Sequence, residues 1–104
     1  PDAGIAQLIP VKPDTDYEFS AESRTQDIDS ASGPRFSITD AYTNGSYVLT
    51  DDMLGTNPWH KQQARFRTGP TTHLLLLKVV RQPAVPLIRG KLWIDDVRLV
   101  QTNN

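Results

Sequence analysis

Gly90-Lys91-Leu92-Trp93-Ile94-Asp95-Asp96-Val97-Arg98-Leu99-Val100 decides how this chain is read. It is rich in β-branched and aromatic residues, which favour a pleated, half-buried surface. Leu92, Ile94, Val97 and Leu99 read as one buried face only if one extra residue sits at Asp95-Asp96. Strict alternation would put Asp96 on the face of Ile94. A β-bulge repairs the register, and bulges re-aim side chains near functional sites.

Working outward, the rest of the chain has the punctuation of an all-β domain. Eight prolines and six glycines separate short alternating runs, and no run keeps a helical period. Ile5 to Val11 is the first strand, ended by a Pro13-Asp14 turn. Tyr17 to Thr25 alternates most clearly, with Tyr17, Phe19 and Ala21 on one face. Gln26 to Gly33 reads as a loop, and Pro34 to Asp40 as a strand with Phe36 and Ile38 inward. Ala41 to Pro58 is long and irregular, and its Asn44-Gly45 is a hairpin signal. Trp59 to Thr68 is a strand with Ala64 and Phe66 inward. Thr72 to Arg81 follows, then a proline-rich connection over 82–87. The last strand spans about Arg89 to Val100. Six or seven strands at this spacing predict an antiparallel β-sandwich or jelly roll, one domain over residues 1–104.

Composition narrows the function classes. Eleven basic residues against twelve acidic ones leave a net charge of −1, which gives no electrostatic footprint for nucleic acid. No window approaches the ~20 apolar residues of a membrane-spanning helix. The absence of cysteine excludes a disulfide framework and thiolate chemistry. His60 and His73 have no sequence neighbours that would form a triad or a zinc site. The glycines are scattered, with no phosphate loop. The expectation is a non-catalytic chain. Its opening Pro1-Asp2-Ala3-Gly4 reads as the interior of a longer protein.

Four features occur in order. They are Gln7 with Pro10-Val11-Lys12-Pro13-Asp14-Thr15-Asp16-Tyr17-Glu18-Phe19-Ser20-Ala21, then Gly33-Pro34-Arg35-Phe36-Ser37-Ile38, then Trp59 with Phe66-Arg67-Thr68-Gly69, and finally Leu92 to Leu99. Together they resemble the galactose-binding-like jelly rolls, especially carbohydrate-binding modules of families 4, 9, 16 and 22. The resemblance runs from about residue 4 to residue 100. It departs at the start, where the family carries further strands. Either this is part of the domain, or another chain or domain completes the sheet edge, or the domain is a shortened variant. The resemblance implies an accessory module that binds a polysaccharide or glycan. Its setting would be an exported bacterial protein, extracellular, periplasmic or on the cell surface. The rival reading is a structural or protein–protein interaction domain on the same fold.

Candidate site residues follow. The resemblance implies a structural calcium held by Asp95 and Asp96, although calcium takes six to eight oxygens and the family's partner acid belongs to the absent segment. A bulge whose carboxylates are solvated or hydrogen-bonded to loop backbone is the simpler account of the same pair. The outward face is expected to carry Glu18, Glu22, Arg24, Arg35, Thr39, Arg65, Arg67 and Trp93 together. There Trp93 would stack on a sugar, with Arg24 and Arg35 hydrogen-bonding its hydroxyls. Tyr42 and Tyr47 would line a loop-tip pocket. Trp59 is expected to pack mainly against the sandwich. Against each stands the ordinary alternative of a mixed, solvated strand face.

Overall fold

A computed structural model describes residues 6–28, 34–51, 53–81 and 90–102. Seven strands occur in order among the described residues: β1 (Ala6–Pro10), β2 (Asp16–Ile28), β3 (Pro34–Asp40), β4 (Ser46–Leu49), β5 (Gly55–Arg67), β6 (Leu74–Arg81) and β7 (Lys91–Gln101). They form a four-stranded sheet, β1-β6-β3-β4, and a three-stranded sheet, β5-β2-β7. All the pairings are antiparallel. The chain is therefore all-β, two sheets packed as a sandwich. The proline-rich connection and most of the expected 26–33 loop lie outside the described residues.

Alternation along β2 builds the interface. Tyr17, Phe19, Ala21, Ser23 and Thr25 are buried, while the residues between them face out. From the other sheet, Phe36, Ile38, Leu75 and Leu77 meet them. Phe19 and Phe36 touch across the sandwich with ring centroids 5.2 Å apart, tilted by 58°, a favoured aromatic geometry. Two strands run longer than the sequence predicts. β2 continues to Ile28, and β5 begins at Gly55 rather than Trp59.

The bulge read from the closing strand is present. Glu22 pairs with Asp95 and Ser20 with Arg98, so Ala21 alone faces Asp96 and Val97. Asp96 has φ 53°, a left-handed conformation that Asp tolerates better than most residues. Its amide donates to the Asp95 Oδ1 at 2.8 Å. Leu92, Ile94 and Leu99 pack against the core. Val97 has the inward parity but stays 42% exposed, which corrects its expected burial.

One feature at each end of the sandwich fixes the strand ends. Gly90 has φ 100°, and a Cβ there would lie 2.4 Å from the Asp27 carbonyl oxygen. At the other end, the Thr68 hydroxyl donates to the Lys12 carbonyl at 2.6 Å and accepts from the Thr15 amide at 2.9 Å. The Phe-x-Thr motif thus ties β5 to the turn before β2.

Truncating Phe19 or Phe36 to Ala removes one half of the inter-sheet contact. We expect a loss of about 3–5 kcal/mol in urea unfolding, as for other large core truncations. A loss under ~1 kcal/mol would contradict the register, because fully buried aromatics cost several times that.

Candidate functional site

The outer face of the three-stranded sheet is set by β2, with β5 and β7 on either side. On this face Asp16 lies opposite Arg67, Glu18 opposite Arg65 and Glu22 opposite Lys61 on β5. On β7, Glu22 faces Asp95 and Arg24 faces Trp93. At one end of this face the charges neutralise each other, with Arg67 3.2 Å from Asp16 and Arg65 3.4 Å from Glu18. A shallow hollow there is lined by Asp16, Arg65, Arg67, Tyr17, Phe66 and Thr102. Tyr17 and Phe66 stack on each other at 6.0 Å.

The other end is different. The Arg24 guanidinium lies over the Trp93 ring, 4.5 Å from its centroid, a cation–π contact between directly paired residues. On the opposite side, the register slips between Ser23/His60 and Thr25/Asn57. Arg24 therefore faces two residues of β5, Pro58 and Trp59. Counting by alternation from Lys61, Trp59 shares the outer face, and it is 46% exposed. A row of Trp59, Arg24 and Trp93 thus crosses the sheet. Among the described residues no carboxylate lies within ion-pair distance of Arg24.

This arrangement corrects three expectations. Trp59 is a surface residue, not a packing residue. Trp93 is on the expected face, but Arg24 covers one side of its ring, leaving Trp59 as the more open aromatic. Arg35 and Thr39 do not join them. They lie on β3, opposite Val80 and Leu76, on the outer face of the other sheet. The single outward face expected from alternation is two faces on opposite sides of the sandwich.

The tyrosines also separate. Tyr42 is 78% exposed in the turn between β3 and β4. That turn adjoins the start of β6, where Ala41 donates to the Leu74 carbonyl, at the end of the molecule away from Trp93. Tyr47 is half-buried against the core, with its ring 5.3 Å from that of Phe66. Its hydroxyl lies 2.7 Å from the Thr72 Oγ1 and accepts from the Gly69 amide at 2.8 Å. Tyr47 is a structural tie rather than a pocket wall.

Buried Asp40 organises this end. Its Oδ1 accepts from the Tyr42 and Thr43 amides at 2.8 and 3.0 Å, and its Oδ2 accepts from the Thr72 hydroxyl at 2.7 Å. The Thr72 hydrogen bond, followed by the two amides, lowers the Asp40 pKa below its ordinary 3.8. Hydrogen bonds to the charged form act in this direction.

Asp95 and Asp96 do not fit a calcium site. Asp96 is paired with Arg98 at 2.7 Å, and Asp95 is tied to the bulge amide. Among the described residues no three His, Cys, Asp or Glu side chains gather in a way that could hold a metal ion. Two carboxylates engaged in this way leave calcium far short of its oxygen ligands. The Arg98 pKa is raised by its hydrogen bond to Asp96, by Coulombic attraction to Asp96 and, more weakly, by Glu22.

The lowered Asp40 pKa has a pH signature. A carboxylate with a depressed folded value contributes stability above its unfolded pKa and loses it as pH falls through the folded value. Wild-type stability should fall as pH drops below 3.8, and Asp40→Asn should be less stable at neutral pH with a flatter acid limb. Parallel acid limbs for the two proteins, measured by urea unfolding from pH 7 to pH 2, would exclude Asp40 as the titrating group.

No protein-family model matches the chain, and a search of curated proteins finds no match.

Proposed function

We propose that this β-sandwich is a non-catalytic carbohydrate-binding domain whose site is the Trp59-Arg24-Trp93 row. The observation that carries the reading is Arg24. It is an exposed guanidinium held over one indole, with no carboxylate in ion-pair contact among the described residues, and it faces a second exposed indole. Sugars ask for that combination. The C–H face of a pyranose packs on an aromatic ring, here Trp59, while ring hydroxyls accept from the forked N–H donors of Arg24. The Trp93 contact limits how many rotamers Arg24 explores, which lowers the ordering cost of binding. A shallow site of this kind binds weakly, and tethering to a larger protein multiplies its effect. An exported or cell-surface setting and a polysaccharide or glycan partner belong to the same proposal.

A second reading has its own support. Leu8 and Leu49 are 57% and 50% exposed, and pairing with Leu76 and Ser37 places them on the outer face of the four-stranded sheet. Exposed apolar residues on one face favour protein contact. This would make the domain a structural or interaction module, with the tryptophan row incidental.

Tryptophan fluorescence against a panel of soluble polysaccharides separates the two. Glycan binding predicts a saturable spectral change with at least one polysaccharide. Trp59→Ala and Arg24→Ala should each weaken it by about tenfold or more, in line with the loss of an aromatic platform or a charged donor, with circular dichroism unchanged. A chelator should leave it unaltered, because the carboxylates at the bulge are engaged within the protein. Silence across the panel favours the interaction module.

A further inference from the structure

We infer that β7 pairs with β7 of a second copy of this chain, joining two three-stranded sheets edge to edge about a two-fold axis between Asp96 and Val97. The inference rests on the strand edge and does not depend on the sugar reading. β7 is eleven residues long and takes only β2 as a neighbour among the described residues. Its other edge presents backbone donors and acceptors, a template for another strand. On this strand Val97 and Val100 are 42% and 48% exposed.

The bulge selects the register. Before it, Trp93 and Asp95 face outward and Ile94 inward. After it, Arg98 and Val100 face outward and Leu99 inward. Two antiparallel copies keep like faces together only if residues before the bulge meet residues after it with the one-residue offset accounted for. Centring the axis between Asp96 and Val97 does this over the whole strand. Trp93 then meets Val100, Ile94 meets Leu99 and Asp95 meets Arg98, each twice by symmetry. Val97 lies beside the axis, next to its own copy.

Charge decides between this register and its neighbours. Moving the axis to lie between Asp95 and Asp96 sets those two carboxylates opposite each other, which is unfavourable. Moving it the other way leaves Asp95 against Val100 and shortens the overlap. In the chosen register, Asp95 gains a cation. Within its own chain it stands opposite Glu22, and like charges directly across strands destabilise. The charges and bulge that ordinarily guard an edge against pairing become complementary when the partner carries the same ones. The joined sheet would also bring both Trp59-Arg24-Trp93 rows onto one face.

Sedimentation of the full chain at rising concentration tests this. We expect the apparent mass to climb from 11.6 kDa towards twice that value. Asp95→Arg and Arg98→Asp should each abolish the rise, and the two together should restore it. Retained circular dichroism would show that the variants fold. Should a variant fail to fold, hydrogen exchange on the wild type serves instead, with β7 amides expected to gain protection as concentration rises. A wild type that stays monomeric, a dimer indifferent to the single substitutions, or a folded double variant that stays monomeric would each overturn the inference.

Discussion

The contact of Phe19 with Phe36 is the joint on which this sandwich depends. Each ring sits on a central strand, β2 in one sheet and β3 in the other, and both are essentially sealed from water. Once they face each other, the two-residue period of each strand determines which of its neighbours are inside. Tyr17 and Ala21 follow Phe19 inward, Ile38 follows Phe36, and Glu22 and Arg24 are forced out. The candidate site is thus a consequence of the core. Arg24 reaches Trp93 because Phe19 is five residues earlier on the same strand, with the odd spacing that puts it on the other face.

The molecule's two ends are finished by different chemistry. At the end carrying Asp40, side chains close the loops: Thr68 bridges Lys12 and Thr15, Tyr47 bridges Gly69 and Thr72, and Asp40 gathers Tyr42, Thr43 and Thr72. Buried polar groups must be satisfied, and here they satisfy one another. At the end carrying Arg24, the strands slip instead. β5 bulges against Arg24, and Asp27, with φ 55°, marks a further irregularity beyond it. Bulges concentrate where side chains are re-aimed, and this one sets Pro58 as well as Trp59 against Arg24.

The sequence made the sandwich legible because alternation is local. The inward sets of β2, β3 and β7, and even the need for an extra residue at Asp95-Asp96, follow from apolar spacing within single strands. What spacing cannot carry is sheet membership. Arg24 and Arg35 both read as outward, yet they belong to different sheets and point to opposite sides of the sandwich. Trp59 escaped for a different reason. Alternation from Ala64 and Phe66 already sets it outward on β5, and the expectation that it packs against the sandwich came from the resemblance. Tyr47 has the composition of a pocket residue, and only its hydroxyl's partners, Gly69 and Thr72, give its role away. The domain's jelly-roll connectivity and its calcium were expectations drawn from resemblance, and spacing alone carried neither.

The paired carboxylates of the closing strand show how a motif can have a backbone cause. Asp96 occupies the left-handed region, where Asp is among the few comfortable residues. The Asp95 carboxylate accepts its amide, and Arg98 clasps its side chain. Each acid has work to do at the bulge before any ion is considered. A strand that must flip its inward face partway along, keeping both Ile94 and Leu99 in the core, needs one residue out of register and a way to satisfy that residue's amide. An Asp-Asp step provides both. The same step places Asp95 against Glu22 and leaves negative charge on the strand's face, so the charge is a by-product of the turn in register. Its consequence is felt by whatever approaches β7 from outside, where an arginine is a better neighbour than a second acid.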